Sequence, residues 1–200
     1  MLPRKKYLMV GIDEAGRGPL AGPLVVAAVS VKDPRLVYQL ARPNPKLGEL
    51  RDSKRLSSKK RELWYEYLTR HPNIRLATSF IYPKAIDRIN VHQAAQLGVR
   101  RVLKKIREGR VKVFLDGNLF APKDYIQETI IRGDTWHPLI MAASIIAKVS
   151  RDRIMLRFDK KYPLYSFKRH KGYGTDLHRF LVKRYGPSEI HRVSFLSKII

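Results

Sequence analysis

Between Pro23 and Val31 the chain is a nearly continuous Val/Ala run, apolar at successive positions rather than at alternate ones. That pattern marks a strand covered on both faces, so it needs neighbouring strands and a cover for its two faces. Further segments supply both. A strand over Tyr7 to Asp13 precedes the run, across the turn-forming Gly16-Arg17-Gly18-Pro19 and Gly22-Pro23. Others are expected over Ile74 to Ile81, over Val111 to Leu115 ending at Asp116-Gly117, and ending over Thr129 to Ile131 before Gly133-Asp134. Ser57 can cap a helix through Leu68 with Leu63, Trp64, Tyr67 and Leu68 inward. Asn90 can cap a long helix to about Arg107, closed by Gly109. Its Ala95, Val99, Val102, Leu103 and Ile106 lie inward, and Arg100, Arg101, Lys104 and Lys105 lie on the other face. A third helix, Met141 to about Lys160, turns Ala142, Ile145, Ile146, Val149 and Leu156 inward, and a fourth is expected near Asp176 to Arg184, ended by Gly186-Pro187. The polar, Pro-rich stretch 33–52 is loop or short helix. Strands first, then strand and helix alternating, make an α/β or α+β domain with a mixed sheet, and the basic, aromatic residues from Tyr162 onward form a helical appendage docked on it.

Charge narrows the partners. Lys and Arg number 41 against 17 Asp and Glu, a net +24, and a compact state carrying that excess calls for a polyanion. Nucleic acid fits better than a membrane surface, because no strongly apolar helix face opposes a basic one. A heat-adapted surface would balance its Lys with Glu. The absence of cysteine excludes disulfides, thiolate catalysis and Cys-ligated zinc. No apolar run reaches the ~18 residues of a membrane span. The basic opening Met1 to Lys6 leads into no secretory apolar stretch, so a cytoplasmic protein is expected.

In so basic a chain the acids at strand ends need a reason. The first strand ends at Asp13-Glu14, the fourth at Asp116-Gly117, the fifth at Gly133-Asp134. As neighbours, these carboxylates would repel and raise one another's pKa. A divalent cation removes that cost, and hard oxygen ligands select Mg²⁺ or Mn²⁺ over zinc. Polyanion binding with a carboxylate-held metal suggests phosphodiester hydrolysis, where two ions can stabilise the attacking and leaving oxygens. Each Asp taken singly also reads as a turn residue. Adjacent Asp13 and Glu14 are harder to dismiss, since both cannot point inward without a charge partner. Gly16-Arg17-Gly18 is either a plain turn or a backbone able to approach a phosphate or sugar hydroxyl.

Together the motifs resemble the ribonuclease HII family. The resemblance runs from Gly11-Ile12-Asp13-Glu14-Ala15-Gly16-Arg17-Gly18-Pro19 through Asp52-Ser53-Lys54-Arg55-Leu56, Asp116-Gly117, Gly133-Asp134 and Ala142 to Val149 with Arg151-Asp152. It continues in His170-Lys171-Gly172-Tyr173-Gly174-Thr175, Gly186-Pro187-Ser188, His191-Arg192 and Ser194-Phe195. It implies an α/β ribonuclease H-like fold: a five-stranded mixed sheet flanked by helices, with a C-terminal helical region. Residues 1–160 would be the catalytic domain, and 161–200 a basic extension completing the cleft. It further implies an endonuclease that hydrolyses the RNA strand of RNA–DNA hybrids and nicks duplex DNA 5′ to embedded ribonucleotides, leaving 3′-hydroxyl and 5′-phosphate ends. Matched motif to motif, Asp13, Glu14, Asp116 and Asp134 would be the metal-binding catalytic carboxylates, and Gly16, Arg17 and Gly18 the sensor of the 2′-hydroxyl. Tyr173, otherwise a core or turn aromatic, would touch that hydroxyl and pack on the next deoxyribose. Lys54, Lys148, Arg169 and Lys171 read as phosphate contacts, with a solvated helix face as the alternative for Lys148. His170, His178 and His191 read as structural or phosphate-contacting rather than as ligands.

Arg132 stands where the family pattern leads one to expect Lys, which keeps the charge. No Gln-rich, double-aromatic sliding-clamp peptide is seen, and a monomer is expected. Two rivals share part of the pattern: a ribonuclease HIII-like hybrid nuclease, which carries an additional N-terminal domain, and a non-catalytic basic nucleic-acid-binding protein. The latter has no use for clustered acids.

Overall fold

The computed structural model describes residues 7–106, 108–197 and 199. The basic run 1–6 and the helix end expected at Arg107 lie outside the described residues. The strands are β1 (Leu8–Ala15), β2 (Leu24–Val31), β3 (Ile74–Ile81), β4 (Val111–Asp116) and β5 (Ile126–Ile130). They form one mixed sheet in the order β3-β2-β1-β4-β5. β1–β2 and β2–β3 are antiparallel, β1–β4 and β4–β5 parallel. The helices are α1 (Pro34–Ala41), α2 (Ser58–Arg70), α3 (Pro83–Ile106), α4 (Pro138–Lys161), α5 (Phe167–His170) and α6 (Asp176–Tyr185).

Every residue of β2 is buried, as its unbroken apolar run requires. Leu24, Val26 and Ala28 face α3, whereas Ala27, Val29 and Val31 face α1, α2 and α4. At about 1.5–3 kcal/mol for each fully buried Val or Leu, this strand alone commits the chain to a three-layer arrangement. Gly11 marks where α4 crosses the sheet, since a Cβ there would sit 2.3 Å from the Leu139 backbone carbon.

The helices start where local chemistry directs. Asp33 accepts from the Arg35 N–H to begin α1, within the stretch expected as loop or short helix. Ser57 accepts from the Lys60 N–H to begin α2. Asn90 accepts from the Gln93 N–H and so caps as expected, but a short helical stretch from Pro83 precedes it and Asn90 itself, at φ 62°, forms the kink between them. Two inward assignments are corrected. Leu63 is exposed, because Trp64 and Leu68 carry the buried face of α2. Leu156, at 39% exposure, is also not inward: beyond Val149, α4 leaves the sheet and turns Arg151 and Met155 inward instead. Among the described residues no helix is long and apolar enough to cross a membrane.

The C-terminal residues interleave with the loop 16–23. Ala21 and His191 form a β-bridge, and Ala21, Met155, Tyr165, Phe167 and Ile190 make a small shared core. Three buried histidines extend it. The Ser188 N–H donates to His191 Nδ1 at 2.9 Å, which places the His191 proton on Nε2. That proton is donated to His178 Nε2 at 3.0 Å, and His178 Nδ1–H donates to the Tyr173 carbonyl at 2.9 Å. His170 Nε2 donates to the Tyr165 carbonyl while its Nδ1 accepts from the Gly172 N–H. All three are therefore structural, and all are neutral. Burial, with the neighbouring His170 adding to it, pushes His178 and His191 down to about 4.

Unfolded histidine titrates near 6.5. As pH falls from 6.5 toward 4 the unfolded chain gains protons that the folded chain refuses, so stability held above 6.5 is lost across that window. The imidazole contribution to that loss is on the order of 3 kcal/mol per ring. Long-range ¹⁵N NMR at pH 6 should find His191 as the Nε2–H and His178 as the Nδ1–H tautomer, and a protonated ring at that pH would refute the arrangement.

Candidate active site at the strand ends

Parallel pairing of β1, β4 and β5 sets their C-terminal ends on one edge of the sheet. Ile12 lies beside Leu115, so Asp13 follows beside Asp116. β1 continues to Ala15, so Asp13 and Glu14 stand within the strand rather than beyond it. Asp134 arrives from the turn after β5. Arg132 takes a left-handed conformation there, Gly133 fits against Ile140, and the Asp134 N–H donates to Asp116 Oδ1 at 3.2 Å.

Three of the acids, Asp13, Glu14 and Asp116, are electrostatically strained. Burial raises Asp13 well above the usual carboxylate range, and Glu14, Asp116 and Asp134 add to it. Burial also raises Glu14 against the opposing pull of Arg17, whose Nη1 donates to Oε1 at 3.2 Å. Glu14 Oε2 is buried with no hydrogen-bond partner. Asp116 is raised by burial and by Asp134. Lys54 Nζ sits 3.2 Å from Asp134 Oδ2; burial lowers its pKa, but Asp134, Asp52 and Asp13 outweigh this and raise it. Among the described residues no three His, Asp or Glu groups stand at spacing ready to hold an ion. The donor set is nonetheless all-oxygen, with one orphaned buried oxygen, which suits a hard divalent cation.

A cavity of about 480 Å³ opens in front of them, lined by Asp13, Glu14, Gly16, Arg17, Gly18 and Asp116 with Ser53, Lys54, Lys148 and Tyr173. The structure thus gathers most of the residues singled out in the sequence. Tyr173 is 42% exposed, with Lys148 Nζ 5.7 Å and Arg151 Cζ 5.5 Å from its ring centre. Lys148 is held by Asp152 at 2.9 Å, one helical turn away. Lys54 is fixed through its N–H on Asp52 Oδ1, and Arg61 secures that loop through the Ser53 and Leu56 carbonyls. Two expected contacts lie outside the cavity: Arg169 is exposed on α5, and the Lys171 ammonium folds back on the Lys168 carbonyl.

Sequence reasoning missed the role of two arginines. Arg151 and Arg192 are fully buried and donate to backbone carbonyls. Arg192 serves Gly16 (2.6 Å), Arg17 (2.7 Å) and Gly22 (2.9 and 3.1 Å). Arg151 serves Pro23 (3.0 Å), Ala21 (3.1 Å) and Lys171 (2.9 Å). Burial, aided by Arg151, lowers Arg192 to about 9. Each buried cation costs several kcal/mol in desolvation, which these hydrogen bonds must offset. A detectable signal was an arginine in the inward phase of α4, between Val149 and Met155.

Residues 10–198 match the ribonuclease HII family model. A ribonuclease HII of Caldicellulosiruptor bescii is 40% identical over 190 residues, 95% of this chain and 87% of that protein. The ribonuclease H2 crystal structure from Pyrococcus horikoshii superposes with a TM-score of 0.75 at 28% identity, covering 96% and 97% of the two chains. A PCNA:RNase HII complex from Archaeoglobus fulgidus has the same fold, with a TM-score of 0.75 at 24% identity and 94% coverage of both chains. The expected ribonuclease H-like sheet is thus borne out in strand number, mixed pairing and flanking helices, and the chain belongs to the ribonuclease HII family and is a ribonuclease H.

Proposed function

We propose that this chain is a divalent-metal-dependent endonuclease that cleaves the RNA strand of RNA–DNA hybrids and nicks duplex DNA 5′ to an embedded ribonucleotide, leaving 3′-hydroxyl and 5′-phosphate ends. The observation that carries this reading is the set of four converging carboxylates, with Glu14 Oε2 buried and unpartnered, in a chain of net charge +24. A protein that only bound nucleic acid would weaken its hold on phosphate with each of them.

Asp13, Glu14, Asp116 and Asp134 would hold Mg²⁺ or Mn²⁺. Bound there, such ions lower the pKa of an attacking water and stabilise the departing 3′-oxygen. Lys54 would leave Asp134 for a substrate phosphate, and Lys148 would meet the backbone from the far wall of the cavity. Arg169 and Lys171 would meet the duplex at its rim. Gly16, Arg17 and Gly18 would contact the ribose 2′-hydroxyl, the group that distinguishes RNA from DNA at one nucleotide, and Tyr173 would pack on the sugar beside it. Such nicking would start removal of ribonucleotides from DNA in the cytoplasm.

The experiment is cleavage of a labelled DNA duplex containing one ribonucleotide, with Mg²⁺ and with chelator. Asp13→Asn and Asp116→Asn should each fall to the chelated wild-type level while duplex binding survives, and near-normal turnover by either would overturn the site. Because the folded pKa of Asp13 is raised, its charged form opposes folding at neutral pH. Metal-free Asp13→Asn should therefore melt above wild type. Tyr173→Ala should lower kcat on the single-ribonucleotide duplex by about ten- to a hundredfold, the cost of a misplaced substrate, with little change in Kd by filter binding.

A further inference from the structure

Arg151 and Arg192 do no chemistry in that reading, yet they are fully buried cations for which no carboxylate hydrogen bond or ion pair is found among the described residues. All their hydrogen bonds go to main-chain carbonyls of the loop 16–23 and of Lys171. In a trans peptide the C=O and the following N–H point in opposite directions. With the Gly16 and Arg17 carbonyls drawn inward to Arg192, the N–H groups of Arg17 and Gly18 are turned the other way, toward the cavity that these residues line. A cation on the carbonyl also polarises the peptide and strengthens its N–H as a donor.

Arg151 ties the other side. It joins Ala21 and Pro23 to the Lys171 carbonyl, and the Gly172 carbonyl accepts from the Leu20 and Ala21 N–H groups at 2.8 and 3.3 Å. Its guanidinium also lies under the Tyr173 ring. Gly16 packs directly on this arginine: at φ +99° a Cβ would stand 2.2 Å from Arg151 Nε. The loop and Tyr173 are thereby parts of one rigid unit.

We propose that Arg192, seconded by Arg151, is the positioning residue for ribonucleotide selection, holding the Arg17 and Gly18 N–H groups and Tyr173 in one fixed register. The proposal rests on the reading above of Gly16, Arg17, Gly18 and Tyr173. Its consequence differs between substrates. A long hybrid presents a 2′-hydroxyl in every register, so a loosened loop still finds one. A duplex with a single ribonucleotide offers one register only, and a loosened loop loses it.

The test compares wild type with Arg192→Lys, which keeps the charge and loses the planar fork, on both substrates in Mg²⁺. Expected is a fall in kcat of about ten- to a hundredfold on the single ribonucleotide, with KM and the rate on the long hybrid each within about threefold of wild type. The selectivity ratio therefore drops, whereas a merely structural loss would lower both rates together. Equal losses on both substrates, or an unchanged ratio, would overturn the proposal. Should Arg192→Lys not fold at the assay temperature, Arg151→Lys must shift the ratio in the same direction, and an unchanged ratio there counts equally against it. Wild type that cleaves neither substrate in Mg²⁺ would instead defeat the function proposed above.

Discussion

Parallel pairing of β1 with β4 and of β4 with β5 is the constraint on which the site depends. Antiparallel neighbours would have sent alternate strand ends to opposite edges and separated Asp13 from Asp116. Parallel neighbours deliver three strand ends to one edge, and their burial follows from the helices needed to cover both faces of β2. The acids are thus assembled by the same packing that stabilises the sheet. Their mutual repulsion is a local cost carried by the rest of the core.

That cost explains the surroundings. Arg17 and Lys54 each neutralise one member of the set, yet Glu14 keeps a buried oxygen without a partner. A site built only for stability would have satisfied it. The basic residues elsewhere are not equivalent. Those on the outer face of α3 are exposed, with Lys105 bonded to the Thr78 carbonyl, whereas Lys54 and Lys148 stand in the cavity wall.

The second wall belongs to the C-terminal segment, which is less an appendage than half of a shared core. His191 bridges to Ala21, Arg192 grips Gly16 and Arg17, and His178 holds the Tyr173 carbonyl. The histidines there are neutral tautomers, and the side-chain hydrogen bonds of the arginines go to main-chain carbonyls rather than to acids.

Local chemistry was legible in the sequence: the unbroken run of β2, the caps at Ser57 and Asn90, and the acids at Asp13, Glu14, Asp116 and Asp134 each announce themselves by composition over a few residues. Leu63 and Leu156 misled because a helix face is defined by what packs on it, and α4 changes partner halfway, from sheet to loop. Arg151 and Arg192 stood in the matched motifs with no role attached to them. Only the tertiary structure separates them from the rest, since a buried cation is recognised by carbonyls that lie, for Arg192 and Gly16, 176 positions apart in the chain. Short-range pattern thus determined the elements and named the acids, while the convergence of strand ends and the fixing of the glycine loop arose from contacts between distant segments, which no local periodicity encodes.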